Sequence, residues 1–137
     1  VDRKRKVLLV TTLCFLIASL TVVGVFNYRI IDKEYDKLTI TKLDEVAFII
    51  EDQEQINGII NQINTSPRKY NPQNGFRYDH TNLFGALTFE KGTEKKVIHF
   101  VIPNGHVLTK YWEIEANFEF AKDPNVNGRK KVLSPSF

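Results

Sequence analysis

The side chains best suited to recognition gather between Thr65 and Leu83, in the stretch TSPRKYNPQNGFRYDHTNL. Within these nineteen residues stand Arg68, Lys69, Tyr70, Phe76, Arg77, Tyr78 and His80, spaced by Pro67, Pro72 and an Asn-Gly pair. Tyr and Arg are enriched at binding hot spots, and aromatic faces beside guanidinium groups suit glycans or polyanions. A connection longer than about 12–15 residues inside a small domain is usually functional or disordered. These seven residues are the candidate partner-binding set. The competing reading is that Tyr70, Phe76 and Tyr78 only pin a long crossover to the core.

Other chemistry-bearing patterns are weaker. Glu113, Glu115 and Glu119 fall on one face of an alternating stretch, where mutual repulsion of carboxylates could be relieved by a hard divalent cation. A solvated row paired to Lys95, Lys96 or Lys110 explains the same pattern. His80, His99 and His106 lack metal-ligand spacing. Ser66 and Lys69 match S-x-x-K in form, but that chemistry needs the serine at a helix start and a following K-T-G strand. Here the serine closes a helix and Lys91-Gly92-Thr93 has the wrong order. Phosphate-binding glycine loops, nucleophile elbows and H-E-x-x-H are missing from the sequence. No catalytic residue, cofactor or metal is assigned. Asn64-Thr65-Ser66 is a glycosylation sequon, relevant only in a eukaryotic secretory pathway. Arg129, Lys130 and Lys131 form a basic cluster that anionic wall polymers or lipid headgroups could attract.

The elements that must carry these groups begin with Val7 to Phe26, twenty residues without a charge. At ~1.5 Å per residue such a helix spans about 30 Å, the thickness of a bilayer hydrocarbon core. Thr11, Thr12, Ser19 and Thr21 are tolerated because their hydroxyls can bond carbonyls one turn back. The lipid bilayer is thus the first partner expected. The net charge of +3 resides in residues 1–6, where Arg3, Lys4, Arg5 and Lys6 outweigh Asp2, while residues 27–137 carry fifteen charges of each sign. The balance after the apolar run gives no reason to expect nucleic-acid binding. The positive-inside rule puts the N-terminus in the cytoplasm and the remainder outside, as a single-pass protein of the cell membrane. Val22-Val23-Gly24 offers small residues that a signal peptidase tolerates, but the apolar run exceeds the roughly 7–15 residues of a signal peptide, which favours a retained anchor. Cys14 lies inside the run and reads as a small apolar packing residue, leaving the exported part without disulfides.

Residues 27–37 read as a juxtamembrane spacer, with Tyr28 and Tyr35 suited to the headgroup zone. Residues 38–121 read as one α+β domain, an antiparallel sheet with one packed amphipathic helix, and 122–137 as a flexible basic tail. Leu38–Thr41 and Val46–Ile50 are expected strands with a turn or bulge at Asp44-Glu45. Asp52 and Gln55 sit at capping-box spacing, and Ile56, Ile59, Ile60 and Ile63 make one apolar stripe, with Asn57, Asn61, Gln62 and Asn64 turned away from it. Ser66-Pro67 ends that helix. Ala86–Glu90 and Val97–Ile102 follow as strands, then a tight turn at Asn104-Gly105. Strict alternation over residues 111–120 predicts a strand with Trp112, Ile114, Ala116, Phe118 and Phe120 on its dry face.

The basic flank and anchor, the unit VAFIIEDQEQINGIINQIN and the strand segment Gly85-Ala86-Leu87-Thr88-Phe89-Glu90-Lys91 together resemble the small N-terminally anchored extracytoplasmic proteins of Bacillus-type Gram-positive bacteria. That resemblance implies a location in the cell envelope and carries over no catalytic residues. The expected function is a non-enzymatic binding or accessory protein meeting an envelope protein or wall polymer through residues 65–83. Two alternatives stand beside it. One is an enzyme acting on an envelope polymer through Glu113, Glu115 or Asp79, which requires two converging carboxylates. The other is a bitopic subunit whose helix packs through Ser19 or Gly24.

Overall fold

The computed structural model describes residues 2–72, 84–102 and 104–122. The chain divides into two compact units, Val1–Ile30 and Ile31–Phe137. The first is the helix α1, Asp2–Asn27, with no buried residue, long and apolar enough to cross a membrane. Its four hydroxyls behave as expected. Thr11, Thr12, Ser19 and Thr21 each donate to the carbonyl four residues back, at 2.8–2.9 Å. No hydroxyl is left to demand water, so the polar letters do not interrupt the apolar surface.

The second unit is α+β. Its elements are β1 (Lys37–Lys42), β2 (Glu45–Ile50), α2 (Gln53–Thr65), β3 (Arg68–Tyr70), β4 (Phe84–Lys91), β5 (Glu94–Val101), β6 (Val107–Leu108) and β7 (Trp112–Ile114), followed by a 3₁₀ turn at Glu119–Ala121. The strands form one antiparallel sheet in the order β2-β1-β4-β5-β6-β7-β3. Register assembles its dry face from rows that cross several strands: Ile40, Leu87 and Ile98 in one, Gly85, Phe100, Val107 and Ile114 in the next. All of these are buried. Ile56, Ile59, Ile60 and Ile63 of α2 are buried as well, so the helix stripe and the sheet share one core. Full burial of such a side chain is worth about 1.5–3 kcal/mol. Asp52 caps α2 by accepting from the Gln55 N–H at 2.9 Å, and Ser66 closes it.

The close approach of strands β1, β4 and β5 depends on Gly85. A Cβ there would fall on the Phe100 ring and 2.6 Å from the Thr41 carbonyl oxygen. Gly105 has a similar role with φ +73°, since a Cβ would stand 2.5 Å from the Phe118 nitrogen. The β1–β2 hairpin turns through Leu43 and Asp44, both at positive φ (49° and 66°), and Glu45 already pairs with Lys42. The turn thus sits one residue earlier than Asp44-Glu45, and the bulge is separate: the register skips Ala47 between Ile40 and Thr41.

Three expectations change. Residues 31–37 do not form a spacer, because Ile31 and Tyr35 are buried in the folded unit and the Tyr35 ring lies 5.5 Å from Phe89. An amphipathic tyrosine near an anchor serves a core as readily as a headgroup layer. Gln62 and Asn64 do not simply face away from the helix stripe: Gln62 donates to the Ala116 carbonyl, and Asn64 bonds the backbone of Ile31. The long strand expected over 111–120 is a strand only at Trp112–Ile114. Burial still alternates through Phe120, but the Ala116 N–H turns back to the Ile114 carbonyl and Asn117 adopts φ +51°. Alternating burial therefore survives without strand pairing. The Phe118 and Phe120 rings stack at 4.7 Å, and Phe120 meets Phe100 edge-on at 5.5 Å.

Candidate functional site

Part of the expected nineteen-residue connection is a strand. Arg68, Lys69 and Tyr70 pair with Ile114, Glu113 and Trp112 respectively, and the Glu115 N–H donates to the Pro67 carbonyl at 2.8 Å. Two cations and one aromatic carry no alternation long enough to announce a strand, and Pro67 argues against one. Phe76, Arg77, Tyr78 and His80 lie outside the described residues, as do Asp79 and the basic cluster Arg129–Lys131.

Strand geometry separates the three described candidates. Arg68 is half-buried on the core side, its Nη2 donating to the Asn64 carbonyl at 3.2 Å and its guanidinium 5.8 Å from the Trp112 ring. A cation at the last turn of α2 offsets the negative end of the helix dipole. Arg68 is a structural brace between helix and sheet. Tyr70 shares its face but stands at the margin, 58% exposed, with its ring edge-on to Trp112 at 5.7 Å. Lys69 is exposed on the opposite face, directly across from Glu113.

That second face carries one continuous row through the sheet: Val46, Thr41, Ala86, His99, Leu108, Glu113 and Lys69. At its β7 end His106 joins, with Nδ1 2.9 Å from Glu113 Oε1 and both side chains about one-fifth exposed (22% and 21%). The His106 N–H donates to Asn104 Oδ1, and its carbonyl accepts from the Val101 N–H at 2.8 Å. Glu113 therefore has a partner in the turn that follows β5. Glu115 and Glu119 are exposed, and Glu119 pairs with Lys122. Sequence spacing placed the three acids on one strand face, but the strand ends at Ile114 and the backbone turns at Asn117, so Glu119 does not continue that face. Among the described residues no three His, Cys, Asp or Glu side chains are placed to hold a metal ion.

His99 and His106 do share this face, which spacing alone did not reveal. The signal was the turn between them: Asn104-Gly105 folds β6 back on β5, so positions seven apart return to one side. Burial lowers the His99 pKa below its usual 6.5 and keeps the ring neutral. A second residue that the sequence did not single out is Lys42. It is buried on the core face, with its ammonium 5.7 Å from the Phe48 ring centroid.

No family model, curated protein or solved structure matches this chain. The functional reading rests on its own residues. What they offer is a braced surface at the β3 margin, with an exposed aromatic on one face and an exposed cation on the other. The Ser66 hydroxyl donates to the Gln62 carbonyl as part of the helix stop, so the S-x-x-K spacing has a structural explanation.

Proposed function

We propose that this chain is a single-pass, membrane-anchored accessory protein of the cell envelope. In this reading it binds a partner and performs no reaction. The N-terminus lies in the cytoplasm, and the Ile31–Phe137 unit stands outside the cell and meets an envelope protein or wall polymer through β3 and the chain that follows it. The apolar run of α1 and the basic residues in its first turns support the anchoring and orientation. The resemblance to anchored proteins of Bacillus-type Gram-positive bacteria supports the envelope location.

The observation that carries the binding reading is Tyr70, more than half exposed yet held edge-on against buried Trp112. A tyrosine already fixed by its neighbour loses little freedom on contact with a partner, which is what makes aromatic anchors effective. Lys69 beside it would favour an acidic partner group.

Two experiments test this. Cys14 is the only cysteine, so a Cys14→Ala chain with Lys95→Cys reports orientation by labelling with a membrane-impermeant maleimide in intact cells. Labelling is expected, and labelling only after lysis would overturn the topology. Crosslinked membranes are then probed with the intact chain and with Lys69→Ala/Tyr70→Ala. Loss of one specific partner from the variant, with its fold unchanged by circular dichroism, is expected. An identical partner list from both would remove the site from β3.

A further inference from the structure

The strand at the other end of the sheet, β2, has the features of a second binding edge. Among the described residues only β1 lies beside it. Strands in this position usually carry a lysine or proline that deters added strands, whereas Glu45–Ile50 reads EVAFII and has neither. Val46 and Ile49 are 57% and 55% exposed. Ile49 continues, through Thr39 and Thr88, to exposed Val97, so the apolar surface at the edge extends across the sheet, bordered in the next row by the Lys37–Glu90 ion pair.

Charge says what would fit. Asp44 and Glu45 precede the apolar residues, and Glu51, Asp52 and Glu54 follow them, with no Lys or Arg between positions 43 and 67. Among the described residues Asp44, Glu45, Glu51 and Glu54 make no ion pair. A second copy of β2 laid antiparallel would set acids against acids, which is unfavourable. An anionic lipid surface or a nucleic acid would be repelled for the same reason.

We propose that β2 is a docking edge for an extended segment of a partner protein, apolar at its centre and carrying Lys or Arg at both ends. The segment adds to the sheet as a further strand. Backbone hydrogen bonds provide its affinity, Val46 and Ile49 take its apolar centre, and the two acidic ends select its flanks. This edge is separate from β3, and its failure would leave the proposed function untouched.

The test uses the full chain in nanodiscs and the labelled peptide KRVTVTVRK as probe. Controls are the same peptide N-methylated on alternate amides and the acidic peptide EDVTVTVDE. Saturable binding of the basic peptide is expected, with slower amide exchange at residues 45–50. N-methylation should abolish it, and Glu45→Lys/Glu51→Lys should weaken it about tenfold or more. Both substituted side chains are exposed, so the variant should fold, as a matching thermal transition would verify. Equal binding of the N-methylated peptide, protection outside residues 45–50, no saturable binding, or crosslinking of a second copy through β2 would each overturn the proposal.

Discussion

The carboxamide of Asn64 pairs with both backbone polar groups of Ile31: the Ile31 N–H donates to Oδ1 at 3.0 Å, and Nδ2 donates to the Ile31 carbonyl at 2.8 Å. One side chain thus substitutes for a neighbouring strand where the chain enters its second unit. Asn64→Asp loses the donor and sets a carboxylate against a carbonyl oxygen, whereas Asn64→Leu loses both bonds. Each is expected to destabilise by about 1–3 kcal/mol, the cost of leaving buried polar groups unsatisfied. Urea unfolding of the chain in detergent, followed by Trp112 fluorescence, measures it. A glycan on Nδ2 would remove the same bond, so the folded protein is not expected to accept one at this sequon.

Gly85→Ala tests the packing of β1, β4 and β5. The added methyl meets the ring of fully buried Phe100 and the Thr41 carbonyl. Overpacking of this kind costs about 1–3 kcal/mol. Phe100→Leu in the same chain should recover part of that loss, and a double-mutant cycle would give a stabilising coupling between the two sites. Simple additivity would mean that the backbone, rather than the ring, sets the cost.

The β1–β2 turn stores strain that can be removed. Leu43 and Asp44 both occupy the left-handed region, at a cost of roughly 1–2 kcal/mol per ordinary residue, and the Asn-Gly pair is preferred in such two-residue hairpins. Leu43→Asn/Asp44→Gly is expected to stabilise the fold by about 1 kcal/mol. The Leu43 N–H bond to the Phe84 carbonyl uses backbone only and should persist. A rise in the thermal midpoint checks this.

His99 gives a pH dependence of definite sign. Burial lowers its pKa below 6.5 in the folded chain. Between the folded and unfolded values the unfolded chain binds the extra proton, so stability rises with pH across that window. On acidification, stability falls as pH passes below about 6.5 and stops falling from this source below the folded value. His99→Gln should flatten the profile between about pH 7 and pH 5, where carboxylates are still largely ionised. An unchanged slope would show that His99 is not its source.

The local decisions were legible because each rests on short-range chemistry. An uncharged run of twenty residues requires an apolar surrounding, and all twenty lie within α1. The Asp52 cap, the isoleucine stripe and the Ser66-Pro67 stop likewise mark α2 from its own thirteen residues and those that flank them directly. The alternation at Trp112 to Phe120 foretold which side chains are buried, since burial follows the direction of each Cβ. It could not foretell that pairing would stop at Ile114. That depends on where Gly105 and Phe118 meet.

Tertiary structure alone decided the candidate sites. Arg68 and Tyr70 look equivalent in the sequence, yet pairing with β7 commits one to the C-terminus of α2 and leaves the other exposed. Glu113 acquires His106 as its partner only because the 102–106 turn folds β6 back beside β5. Tyr35 belongs to the core only because β4 brings Phe89 to it. Sequence by itself determined the membrane-length helix, the α+β class and the helix that closes the core, all consequences of hydrophobic pattern over neighbouring residues. The identity of braced, exposed and paired side chains was determined by strand order, a non-local property that no stretch of this chain contains on its own.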